Sequence, residues 1–130
     1  MNRRSYLTAM LAALASLKGA AAQVAKNPIV LHVDLVVDPA KEQEMLHTFH
    51  TVFKPAAIKH SGYIDVKLLK LKQALQGSAP AGMSYRFQLT YETEELRQQW
   101  VASEVHKKAW AMMESALRSK DYTILLFDSM

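Results

Sequence analysis

The chain has 130 residues, with 16 Lys and Arg against 12 Asp and Glu, a formal net charge of +4, half of its residues hydrophobic and no cysteine. That length holds one domain with a modest core, and the lack of cysteine excludes disulfides, thiolate metal sites and cysteine nucleophiles. Three of the basic residues, Arg3, Arg4 and Lys18, stand in the first 23 positions, which carry no acid, so the remainder keeps 13 basic groups against 12 acidic ones and gives no argument for a nucleic-acid or anionic-membrane partner.

Residues 1–23 read as an export signal of the twin-arginine type. Arg3 and Arg4 make a basic start, Tyr6 to Leu17 an apolar middle, and Ala20, Ala21 and Ala22 a small-residue stretch suited to cleavage. The run Asn2 to Thr8 carries the paired arginines, with Tyr6 where the consensus has Phe. The apolar middle falls short of the roughly 20 residues that span a bilayer. Its alanine-rich, mild hydrophobicity and the following Lys18 favour the twin-arginine route. The protein is therefore expected outside the cytoplasm, in the periplasm or an equivalent space, touching a membrane only through an uncleaved signal. Residues 28–130 are left as the working domain.

Within that domain, Ile29 to Val37 predicts a strand, with Ile29, Leu31, Val33, Leu35 and Val37 on one face and Val30, His32, Asp34 and Val36 on the other. Asp38-Pro39 then supplies a cap and a first-turn proline for a helix reaching about Lys59, whose Met45, Phe49, Val52, Phe53 and Ala56 recur at helical spacing. After Ser61-Gly62, Tyr63 to Lys72 predicts a second strand, its apolar positions changing face near Leu68-Leu69 as a twist or bulge would require. A loop at Gln76 to Gly82 leads to the strand Met83 to Tyr91, apolar at alternate positions and polar at Ser84, Arg86, Gln88 and Thr90 between them. Thr93 starts a short helix with Leu96 and Trp100, Ser103 caps another reaching about Arg118, and Tyr122 to Phe127 is the last strand. The order β-α-β-β-α-β gives an α+β, ferredoxin-like unit.

The second crossover reads Trp100-Val101-Ala102-Ser103-Glu104-Val105-His106, preceded by the strand Met83 to Tyr91 and by Ser61-Gly62-Tyr63 after the first helix. In this it resembles the antibiotic biosynthesis monooxygenase family of dimeric α+β barrels, over about residues 29–128. The resemblance implies a homodimer in which two sheets close a barrel, and a pocket between sheet and helices in each subunit. It implies a cofactor-independent monooxygenase acting on a quinol-like or other small aromatic substrate. The alternatives are a non-catalytic dimeric binder of a small hydrophobic molecule or of haem, and a structural partner in an envelope complex. The haem-degrading branch uses an asparagine in the first strand, the crossover Trp and a His ten residues later. Here those positions fall near His32, on Trp100 and on Trp110, with His106 one helical turn before the last.

Among candidate site residues, His32 and Asp34 place two polar groups in one stripe of the first strand. They suit a carboxylate-held histidine that takes a proton from a phenolic substrate, or else a hydrogen-bonded pair in the dimer seam. Tyr63, Arg86, Trp100, His106 and Trp110 are the candidate substrate-binding residues: Arg86 for a substrate oxygen, the two tryptophans as flat apolar walls or as plain core, and His106 from the first turn of a capped helix. His47, His50 and His60 lack metal-ligand spacing and are assigned no function.

Overall fold

The computed structural model describes residues 27–130, so the signal expected at 1–23 lies outside the described residues. The first strand, β1 (Ile29–Leu35), sends its odd-numbered residues into the core and its even-numbered ones to the opposite face, as period-2 alternation dictates. Asp38 caps the turn Pro39–Lys41 by accepting the Ala40 N–H at 3.0 Å, and α1 (Glu42–Thr48) follows.

The expected single helix is in three parts. Between α1 and α2 (Lys54–Ile58) lies a π-helical segment, Phe49–Phe53, in which the Lys54 N–H bonds the Phe49 carbonyl five residues back. Pro55 accounts for it: a proline has no N–H for the carbonyl four residues earlier and its ring clashes with that carbonyl, so the preceding turn widens. Met45, Phe49 and Phe53 still reach the core, joined by Ala57.

Strands β2 (Tyr63–Lys70) and β3 (Tyr85–Tyr91), helices α3 (Glu94–Ala102) and α4 (Glu104–Glu114), and β4 (Thr123–Asp128) complete the chain. The sheet runs β2-β3-β1-β4 with every pairing antiparallel, and the helices cover one face. This is the ferredoxin-like α+β arrangement read from the sequence. Both second-crossover helices start where their caps predict: Thr93 accepts the Leu96 N–H and Ser103 the His106 N–H, each at 3.2 Å.

Three sequence expectations are corrected. The irregularity of β2 lies between Tyr63 and Asp65, not at Leu68-Leu69. Leu68 and Leu69 alternate regularly; both are apolar because Leu68 faces the helix layer and Leu69 the open face, which is itself partly apolar. The last helix stops at Glu114, because Leu117 already bridges Val37 and the Arg118 N–H bonds the Val36 carbonyl at 2.9 Å. The middle strands are shorter than read, with Leu71 to Ser84 as the connection, tied by the Leu71 N–H to the Ser84 carbonyl at 2.9 Å.

Among the described residues, no helix packs on the other face of the sheet. Val30, His32, Val36, Arg86, Leu69, Leu125 and Phe127 lie on it, and β4 is exposed on both sides, with Ile124 55% and Phe127 45% accessible.

Candidate functional site

Alternation along β1 and β3 places three candidate residues, His32, Asp34 and Arg86, on the open face together with Gln88. His32 stands opposite Gln88 and Asp34 opposite Arg86. The expected His32–Asp34 pair is not formed. Residues two apart on a strand are separated by about 6.6 Å along it, whereas cross-strand neighbours touch, so each took the partner across the ladder. His32 Nε2 and Gln88 Oε1 are 3.0 Å apart, and Arg86 donates two hydrogen bonds to Asp34, from Nε at 2.7 Å and Nη2 at 3.2 Å. Asp34 is thereby covered, with 7% of its surface left accessible. The Asp34 carboxylate holds the Arg86 pKa above its usual value. The His32 ring rests against Phe127 at 4.9 Å.

A cavity of about 270 Å³ opens on the other side of the sheet, beneath α3 and α4. Its floor is Leu31, Phe87 and Leu89, which β1 and β3 point towards the helices, and its walls include Phe53, Val101, Trp110 and Ile124. Three polar side chains also line it: Arg97, His106 and Tyr122. Phe53 is fully buried and its ring lies 5.8–5.9 Å from those of Trp100, His106 and Trp110. The π-helical turn therefore supplies the central aromatic residue of the site.

Local structure sets each polar group. The Ser103 cap fixes the first turn of α4 and with it His106, whose imidazole lies parallel to the Trp110 indole, 7° between planes and 6.3 Å between centroids. Its Nδ1 is buried with no hydrogen-bond partner among the described residues. Burial pushes the His106 pKa down to about 4, opposed by the Val101 carbonyl and assisted by the positive charge of Arg97. The imidazole is therefore neutral at pH 7. Arg97, one turn before Val101 on α3, donates to Glu94 from Nε and Nη2, both at 2.6 Å. Tyr122 accepts the Trp110 Nε1–H at 2.9 Å and donates to Glu114 at 2.6 Å. Burial and then the Glu114 hydrogen bond raise its pKa.

Of the residues nominated from sequence, His106 and Trp110 line this cavity. His32, Asp34 and Arg86 lie across the sheet from it, and Tyr63 is half-buried at the start of β2. Trp100 is 1% accessible and sits behind His106, 5.1 Å away, with its own Nε1 unpartnered among the described residues. It borders a separate groove shared with His60 and Val105. The sequence offers Phe53 only as a helix position and Tyr122 only as a strand start, and it does not nominate Arg97. The one local signal was the i, i+4 spacing of Arg97 and Val101, which sets both on one helix face.

A haem does not fit these residues. Position 110 is Trp, whose indole N–H is already bonded to Tyr122, and the His106 ring is hemmed in by Trp100, Phe53 and Trp110. The cavity volume, about 270 Å³, lies just below the roughly 300–1,000 Å³ of drug-sized small-molecule sites. Among the described residues no group of three His, Asp or Glu could hold a metal ion.

No protein-family profile matches the sequence, and no curated protein matches it. Solved structures share the fold. A conserved protein from Methanosarcina mazei Go1 is 18% identical with a TM-score of 0.64, covering 83% of this chain and 97% of its own. A dimeric ferredoxin-like protein of unknown function from Jannaschia sp. CCS1 is 16% identical with a TM-score of 0.63, covering 79% and 98%. A candidate antibiotic biosynthesis monooxygenase from Caulobacter crescentus CB15 is 18% identical with a TM-score of 0.66, covering 80% and 91%. At these identities the likeness establishes the ferredoxin-like α+β fold.

Proposed function

We propose that this protein binds a small, mainly apolar aromatic molecule, quinol-like in size and shape, in the cavity between the sheet and helices α3 and α4, and that its chemistry is cofactor-independent oxygenation of that molecule. One observation carries the binding reading: a cavity of about 270 Å³ walled by Phe53, Phe87, Trp110 and aliphatic side chains, with a neutral imidazole at its side. Flat apolar walls favour an aromatic ring. The oxygenase chemistry draws on the sequence resemblance and on the likeness to the Caulobacter protein.

A second reading, non-catalytic binding, is favoured by the basicity of His106. With a pKa of about 4 it is a weak base towards a phenol of ordinary acidity. A base of that strength draws a phenolic proton only weakly, a proton transfer that simple binding does not need.

The experiment pairs binding with turnover. Wild-type protein and Val101→Phe, which fills the cavity with an added ring, are titrated with 1-naphthol and 1,4-naphthohydroquinone by tryptophan fluorescence while oxygen uptake is followed. Binding and uptake that are both lost in Val101→Phe support the oxygenase. Binding without uptake supports the non-catalytic reading, and absence of binding in the wild type sinks both.

The same proposal places the protein outside the cytoplasm as a homodimer. Export rests on the Arg3-Arg4 signal pattern. The dimer rests on the partly apolar open sheet face and on β4, whose Leu125 and Phe127 continue that face.

A further inference from the structure

We infer that Arg97 is a specificity-determining residue, donating a hydrogen bond to a neutral carbonyl oxygen of the ligand, so that the cavity takes aromatic carbonyl compounds in preference to equally shaped compounds without that oxygen. This rests on reading the cavity as a ligand site.

The polar groups around the cavity differ in what they still have to give. Tyr122 is engaged on both sides, accepting from Trp110 and donating to Glu114. His106 is neutral, with its Nδ1 enclosed. Arg97 lines the cavity, its side chain is 16% accessible, and Glu94 takes hydrogen bonds from Nε and Nη2. A guanidinium has five N–H groups in a fixed fork. Its Nη1 has no hydrogen-bond partner among the described residues. A donor so placed rewards an acceptor and penalises a ligand that leaves it dry.

The charge balance selects a neutral acceptor. Glu94 already neutralises Arg97 through a two-point pair. A ligand carboxylate would enter beside the Glu94 carboxylate and lose its water to apolar walls, which disfavours it on both counts. A ketone or aldehyde oxygen accepts from the guanidinium without adding a second negative charge.

The test uses two probes matched in shape, 4-hydroxyacetophenone and 4-ethylphenol, which differ in one carbonyl oxygen, titrated calorimetrically at pH 6.5 into the wild type, Arg97→Met and Arg97→Lys. The wild type should bind the ketone about tenfold more tightly, as a hydrogen bond to a charged donor implies. Arg97→Met should lose that preference while holding 4-ethylphenol within about twofold, and Arg97→Lys should keep part of it. Equal affinity of the wild type for both probes overturns the inference, as does a parallel loss of both in Arg97→Met, which would report a structural role. If neither probe binds the wild type, the cavity reading itself has failed and the role of Arg97 falls with it.

Discussion

The Trp110 indole and the Tyr122 phenol are joined by a 2.9 Å hydrogen bond, and the same phenol donates to Glu114 at 2.6 Å, so one hydroxyl ties two points of α4 to the segment that enters β4. Replacing Tyr122 by Phe keeps the ring and strands both partners. We expect a loss of about 1–2 kcal/mol of stability and a shift in tryptophan emission as the Trp110 N–H loses its acceptor. An unchanged urea midpoint would show the pair to be incidental.

His106 makes stability depend on pH. Its folded pKa of about 4 lies below the usual 6.5, because burial disfavours the charged imidazole. Between those values the unfolded chain binds a proton that the folded one refuses, so the contribution is complete above about pH 6.5 and declines as the pH falls towards 4. The urea midpoint of the wild type should therefore drop between pH 7.5 and pH 4.5 by more than that of His106→Gln. Parallel profiles would remove His106 as the source.

On the opposite face of the sheet, Asp34 and Arg86 form a two-point ion pair with the carboxylate almost fully covered. Asp34→Ala leaves a half-buried guanidinium without its partner, and should cost about 2 kcal/mol. Because this pair and the cavity lie on opposite faces of the sheet, neither Asp34→Ala nor His32→Ala should alter 1-naphthol affinity by more than about twofold. A large change would return these two residues to the site.

Gly62 has a φ of +92°, and a Cβ there would lie 2.7 Å from the Leu96 Cβ and 2.8 Å from its Cδ1. Backbone strain and the clash with α3 act together, since the Leu96 Cβ cannot swing away. Gly62→Ala should destabilise by about 2 kcal/mol or more, read by thermal or urea unfolding. A cost below about 0.5 kcal/mol would mean that the loop relaxes freely.

Leu125→Asp with Phe127→Asp tests the dimer. Both side chains are almost half exposed on β4 and continue the open face around His32. Two charges there should convert a sedimenting dimer into a monomer while the circular-dichroism spectrum holds. A wild type that sediments as a monomer at micromolar concentration would contradict the proposed assembly.

The order of elements and the facing of the sheet are legible in the amino-acid sequence by itself. Odd residues of β1 are all apolar and even ones mixed, so strand period alone identifies the helix side, and Thr93 and Ser103 announce their helices because a capping side chain acts within three residues of itself. Other decisions needed partners distant in sequence. Strand spacing put His32 and Asp34 in one stripe, but pairing across the ladder gave them to Gln88 and Arg86, 56 and 52 residues away. Helical spacing set Arg97 with Val101, yet only the docking of α3 and α4 over β1 and β3 turned that face into a cavity wall with Phe53 and Tyr122. Local rules fix which way a side chain leaves its own element. What it meets depends on the packing of elements far apart in the chain, and that packing, not any single motif, put His106 and Trp110 in the cavity and left Trp100 in the core.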